Sequence, residues 1–261
     1  LVIDGYREAD PMKTQHSMNT STAKWVAELT RVREVSLLGA ANLTYWKERL
    51  AKEKLTPLEC DGRAQILIVA ADARFRGISL QELSFSILVS DCESGINRHD
   101  AFLVQAFNSR RLFAFCERSF FATPYYYGDV GVSASVPASI QLVNAGKLLF
   151  RAEMKSGAAT ARHRNPSSCG EDGWEGSVFL PANRHRYARQ GKMFFARIRG
   201  YTKKYPFLDS TDSCSIRPSG NAILEALIAS QFVAAEWIIR EDSTHAKSKT
   251  YTRTGLFAGV T

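Results

Sequence analysis

The chain is 261 residues long, 45% hydrophobic, with a formal net charge of +8, which is enough apolar matter to build a sizeable core in one large domain or two small ones. No apolar run approaches the ~20 residues a membrane span needs; the longest, Ile66–Ala71, has the length of a buried strand. The positive charges are scattered, with clusters only at Arg162–Arg164, Arg184–Arg189 and Lys203–Lys204 in loop-like stretches. That pattern fits a solvated basic surface rather than a nucleic-acid partner, and no nucleic-acid-binding motif accompanies it.

The first residues, 1–20, are polar and read as a loose arm ahead of one domain over 21–261. They lack the charge and apolar pattern of a signal peptide, and Leu1 is not an initiator methionine, which points to residues upstream. Thr22–Val32 reads as a short helix. A clearer helix covers Leu43–Lys54, with Asn42 as its N-cap, Leu43, Trp46 and Leu50 on one face, and Thr56-Pro57 as its stop. Ala64–Ala71 reads as a strand buried on both faces. Leu83, Phe85, Ile87 and Val89 alternate with Ser84, Ser86, Leu88 and Ser90, a period of two. Ala101–Phe107 and Leu112–Cys116 read as a strand pair joined by Asn108-Ser109-Arg110-Arg111. Ser139–Val143 and Leu148–Met154 flank Asn144-Ala145-Gly146, a hairpin signal. Residues 156–175 are Gly/Ser-rich and read as a loop or lid; Ser177–Leu180 and Met193–Ile198 follow as strands. Ala222–Phe232 reads as a buried helix after Pro218-Ser219-Gly220, and Val233–Ile239 as a strand. The whole is an α+β single domain with a large curved, mostly antiparallel, barrel-like β-sheet and a few helices.

Five cysteines, Cys60, Cys92, Cys116, Cys169 and Cys214, show no paired spacing and read as reduced thiols of a cytoplasmic protein. His163, Cys169 and His185 are spaced too irregularly for a metal site, and His99 beside Asp100 reads as a surface pair. Gly128-Asp129-Val130-Gly131 lacks the spacing of a phosphate loop. Neither cofactor nor metal is expected, and no nucleophile triad is visible.

The stretch Phe102–Pro124, FLVQAFNSRRLFAFCERSFFATP, is followed by Tyr125, Tyr126 and Tyr127. It resembles the core of the acetoacetate decarboxylase-like superfamily, in which a strand pair leads to a Gly-Arg-Glu triplet and then a Pro-Lys whose lysine forms a Schiff base. On this chain the triplet falls on Glu117, Arg118 and Ser119, so only the arginine is kept. The nucleophilic lysine falls on Tyr125 and its lysine neighbour on Tyr126. Glu82, in GISLQELSFSI, matches a family carboxylate that enters the site. A second carboxylate falls near Gln65, and the family's early arginine on Arg31 or Arg33. The chain is closer to a branch of the superfamily that carries Pro-Tyr in place of Pro-Lys. The resemblance implies the fold; it does not carry decarboxylation with it.

Tyr125 cannot form an imine, and Lys147, in a turn, and Lys155, at a strand end, are no evident substitutes. What remains is Glu82 as acid or base, Arg118 to hold an oxyanion or carboxylate, and Tyr125 or Tyr126 to donate a hydrogen bond, in a pocket walled by Phe102, Phe120 and Tyr127. A buried Glu82–Arg118 ion pair with no chemistry is the structural alternative. The expected function is lyase- or isomerase-like acid–base chemistry on a small organic acid or ketone without a lysine Schiff base. The alternative is a non-catalytic binder of a hydrophobic or anionic small ligand in the same cavity. Neither membrane nor nucleic acid is expected as a partner, and homo-oligomerisation is left open.

Overall fold

A computed structural model describes residues 23–90, 100–155, 166–182 and 191–253. The N-terminal arm, Cys92, His99, His163, His185 and the basic clusters at Arg162–Arg164 and Arg184–Arg189 lie outside the described residues.

The strands, in chain order, are β1 (Trp25–Asn42), β2 (Thr56–Pro57), β3 (Glu59–Cys60), β4 (Arg63–Phe75), β5 (Ile78–Ser90), β6 (Asp100–Asn108), β7 (Tyr125–Tyr127), β8 (Asp129–Ser133), β9 (Ser139–Asn144) and β10 (Lys147–Glu153). They continue as β11 (Ser168–Leu180), β12 (Lys192–Pro206), β13 (Ser213–Ile216), β14 (Val233–Ser248) and β15 (Tyr251–Thr252). Three helices, α1 (Leu43–Ala51), α2 (Arg111–Phe120) and α3 (Ala222–Ala229), complete the described chain.

Eleven strands form one sheet, and β8, β9, β10 and β13 form a second. Within the large sheet, β5, β4, β1, β14, β12, β11 and β6 pair in that order, and β6 pairs back to β5. The ring is therefore a closed barrel, antiparallel except where β11 meets β6. Closure removes the unpaired edges that an open sheet would expose. The outer face of β1, β4, β5 and β6 carries Val35, Leu37, Ile66, Ile68, Leu83, Phe85, Ile87 and Phe107. These pack against Ile140, Leu142 and Phe150 of the second sheet, Trp46 and Leu50 of α1, and Ile223, Leu224 and Leu227 of α3, forming the main core. The period of two in β5 was set by this layer.

Asn42 caps α1, its Oδ1 accepting from Tyr45 N at 2.8 Å. The β9–β10 hairpin turns through Ala145 (φ 48°) and Gly146 (φ 74°), the left-handed pair that a two-residue hairpin needs. Asn221 caps α3, which ends at Ala229 rather than Phe232 because Gln231 turns to φ 53° and releases the chain into β14.

Four expectations are corrected. Thr22–Val32 is not a helix: Trp25 onward is strand β1, tied along its length to β14 and β4. Its Ala, Lys, Glu and Leu residues favour helix locally, and tertiary pairing overrides that preference. Leu112–Cys116 belongs to α2, whose Phe113, Cys116 and Glu117 recur at three and four residues and turn inward together. The stretch read as a loop is strand from Ser168, a polar, exposed ribbon held by continuous pairing with β12. Finally, Ala64, Ile66, Ile68 and Ala70 of β4 are fully buried, but Gln65, Leu67 and Val69 stay partly accessible on the barrel's inner face.

Candidate functional site

The inner face of the barrel is unusually polar. Cross-strand register places Glu34 of β1, Ala71 of β4, Glu82 of β5 and Asn108 of β6 in one row. With strands ~4.8 Å apart, Glu34 and Glu82 stand about 10 Å from each other across the small Ala71. On β14, His245 and Lys247 point to this same face, opposite Leu29 and Ala27 of β1.

Around Glu82, Asn108 Nδ2 donates to Oε1 at 2.7 Å and the Tyr125 hydroxyl to Oε2 at 3.3 Å. Tyr125 arrives here because β7 runs parallel to β6, with Tyr125 beside Ala106. From above, α2 brings Glu117, whose Oε2 accepts from Thr123 Oγ1 at 2.7 Å and forms an ion pair with Lys247. The Lys247 ammonium also lies 4.7 Å from the Phe194 ring, 4.8 Å from Phe121 and 5.9 Å from Tyr125, a cation enclosed by ring faces. Between α2 and the barrel is a cavity of about 210 Å³. Phe75, Leu80, Phe113 and Phe121 wall it, and Glu82, Glu117 and Lys247 supply its charge.

Burial, and then the neighbouring charge of Glu117, push the Glu82 carboxyl above its ordinary value; Lys247, Asn108 and Tyr125 oppose the shift without cancelling it. Burial, followed by the charges of Glu82 and Glu117, pushes the Tyr125 phenol well above its usual value. Tyr125 is therefore held as a hydrogen-bond donor, and Glu82 is a carboxyl that can carry a proton.

Deeper in the barrel a second network is self-contained. Glu34, 1% exposed, receives Arg240 Nη1 at 2.6 Å and Ser36 Oγ at 2.8 Å, and His245 Nε2 lies 2.8 Å from its other oxygen. Arg240 Nε is satisfied by Thr202 Oγ1 at 2.8 Å. Burial alone would raise the Glu34 carboxyl, but His245, Arg240 and Ser36 outweigh it and hold it at about 2.

The residues singled out from the sequence therefore separate. Glu82 and Tyr125 are brought together in the inner cavity. Arg118 is exposed on the outer side of α2, 5.8 Å over the Tyr126 ring, and the side chains bonded to Glu82 are Asn108 and Tyr125. The Glu82–Arg118 pair does not form because Glu117, one residue earlier on the helix, takes the inward position. Tyr126 and Tyr127 line a separate, open depression of about 300 Å³ with Gln105, Asn144 and Asn221. Tyr127 bonds Asp129 at 2.7 Å. Phe102 packs in the main core, and Phe120 is 74% exposed. Arg31 sits exposed at a bulge with φ 57°, and Arg33 pairs loosely with Asp72 at 3.9 Å. The interior arginine is Arg240, and the second interior carboxylate is Glu34 on β1 rather than a residue near Gln65.

Sequence reasoning missed Glu34, Glu117, Arg240, His245 and Lys247. One signal was present: His245 and Lys247 alternate with Thr244 and Ala246 beyond the strand expected over Val233–Ile239. Strand periodicity there would have placed both on one face.

The fold is shared with solved structures. An acetoacetate decarboxylase from Legionella pneumophila superposes with a TM-score of 0.59 at 10% identity, covering 93% of this chain and 92% of that one. An acetoacetate decarboxylase-like enzyme from Sphingomonas wittichii gives 0.55 at 11% identity, covering 94% and 98%. The enduracididine biosynthesis enzyme MppR, complexed with pyruvate, gives 0.58 at 9% identity, covering 87% and 89%. No protein-family model matches the sequence, nor does any curated protein. The chain thus has the acetoacetate decarboxylase-like fold, a single domain built on a large curved sheet. Among the described residues, no helix is long and apolar enough to cross a membrane.

Proposed function

We propose that the chain is a cytoplasmic small-molecule enzyme of the Pro-Tyr branch of the acetoacetate decarboxylase-like superfamily. It moves protons on a small organic acid or ketone, in a lyase- or isomerase-like reaction without a lysine Schiff base. The observation that carries this reading is Glu82: a carboxyl lining an aromatic-walled cavity, raised above its ordinary value by burial and the Glu117 charge, and bonded to Tyr125. Ionised, that carboxyl takes a proton from carbon next to a carbonyl, and once protonated it returns it, while the Tyr125 hydroxyl steadies the oxygen on which charge develops. Phe75, Phe113 and Phe121 give the cavity an apolar wall for the substrate's carbon body.

Tyr125 stands where the resemblance places the imine-forming lysine. Lys247 does reach the cavity, but as an ammonium bound to Glu117 and enclosed by rings, and an ammonium has no lone pair with which to attack a carbonyl. The solved MppR complex with pyruvate supports a small organic molecule in this fold.

The test is deuterium wash-in at the carbon next to the carbonyl of small ketones and keto acids, followed by NMR, with borohydride added in parallel. Wild type exchanges, Glu82→Gln does not, and the protein mass is unchanged by borohydride. An adduct on Lys247 would replace this mechanism with an imine route. Ligand binding without exchange would leave a binder.

A further inference from the structure

Three charged side chains face the cavity: Glu82, Glu117 and Lys247. Lys247 is already committed to Glu117, whose Oε2 it shares with Thr123. The other inner cation on β14, Arg240, is committed to Glu34 and Thr202. Glu82, by contrast, has only neutral donors, Asn108 and Tyr125. The cavity therefore holds two carboxylates and one cation, and the surplus charge is at Glu82. The rest of the cavity lining includes Leu80, Phe75, Phe113, Phe121 and Cys116. Lys247 acts on Glu82 only through space and does not offset burial and the Glu117 charge; a partly buried carboxylate with no bonded cation is costly, and the faces of aromatic rings attract positive charge.

Resting on the reading of this cavity as the substrate site, we infer that its ligand is a small organic cation: an apolar body carrying a protonated amine that pairs with Glu82. A carboxylate ligand would meet the opposite field. It would stand beside Glu82 and Glu117, and it could recruit Lys247 only by breaking the Glu117 ion pair, leaving a third negative charge buried. For an amine-bearing ketone the ammonium pairs with Glu82, which keeps a lone pair for the proton on carbon, and the Tyr125 hydroxyl turns from Glu82 to donate to the carbonyl.

The pairing is linked to pH. The groups facing Glu82 are Glu117 and Cys116 from α2, Tyr125 from β7, Asn108 from β6 and Lys247 from β14, with Glu34, His245 and Arg240 beyond Ala71. Binding an ammonium requires the Glu82 proton to leave, so affinity falls as pH falls through the titration of Glu82.

The test uses three probes of nearly one shape, benzylamine, benzyl alcohol and benzoate, titrated calorimetrically into the wild-type protein and Glu82→Gln at pH 8 and pH 5. Benzylamine is expected to bind at least about tenfold more tightly than benzoate at pH 8, with the alcohol between, and to weaken at pH 5. Glu82→Gln should bring the amine down to the alcohol while leaving the alcohol unchanged. Benzoate binding as tightly as the amine would overturn the inference and leave the proton-transfer reading standing, because deuterium exchange is measured independently. Failure of all three to bind would likewise overturn the inference, with the proton-transfer reading judged by the exchange measurement.

Discussion

The claim that Arg240 is unavailable to any ligand can be tested through its partner. Glu34→Gln keeps the shape of the side chain and its bond from Ser36, and it removes the charge that holds Arg240 and His245. Glu34 is fully buried, and its carboxyl is lowered from 4.5 to about 2. A shift of that size, at ~1.4 kcal/mol per unit, corresponds to about 3 kcal/mol of stability at pH 7. Because the folded value lies below the unfolded one, the contribution is complete above pH 4.5 and is lost as pH falls toward 2. At pH 3 about 1.4 kcal/mol would remain, by the same linkage. Removing one partner of a buried ion pair independently suggests ~3–5 kcal/mol at neutral pH, so the two routes agree. Urea unfolding of the wild type and Glu34→Gln at pH 7 and pH 3 measures both differences. A loss under about 1 kcal/mol at pH 7, or an equal loss at both pH values, would refute the network as described and release Arg240 as a candidate anion site.

Two further outcomes follow from the same structure. Glu82 is shifted upward, so its contribution has the opposite sign: stability falls as pH rises above 4.5 toward the folded value and then levels, and Glu82→Gln should flatten that limb of the urea-midpoint profile; an unchanged slope would show that Glu82 titrates normally. Gly39→Ala would drive its new methyl into the Phe232 ring and the Val233 carbonyl oxygen. The backbone partner cannot move aside cheaply, so a loss of about 1–3 kcal/mol is expected, and a wild-type urea midpoint would contradict the close approach of β1 to β14.

The sheet was legible where one face is dry. Leu83, Phe85, Ile87 and Val89 announce β5 because every second residue enters the main core, and Asn42 announces α1 because its side chain caps it. Legibility failed where the inner face is polar. Along β14, Ser243, His245 and Lys247 occupy the positions that apolar residues would hold in an ordinary strand, so the alternation is hidden by the polar lining of the cavity. Along α2, the run Leu112–Cys116 is apolar at every position, and neither a period of two nor one of three to four stands out until Glu117 is seen to face inward. The error at Arg118 has a different origin: the resemblance placed the triplet's arginine in the site, and on α2 Glu117, about 100° away around the helix, is the residue that faces the cavity.

On the proposed reading, a tyrosine rather than a lysine at position 125 alters more than the nucleophile. With a cation there, Glu82 and Glu117 would each have a positive partner and the cavity would be neutral before any ligand arrived. With Tyr125, Lys247 satisfies one carboxylate only, and Glu82 is left bonded to neutral donors in an aromatic-walled site. The carboxyl responds by holding its proton more firmly. On that reading a single side chain leaves both a carboxyl raised above its ordinary value and a vacancy for positive charge. The proton chemistry and the preference for a cationic ligand are two consequences of one missing ammonium, which is why they can be tested separately and yet turn on the same residue.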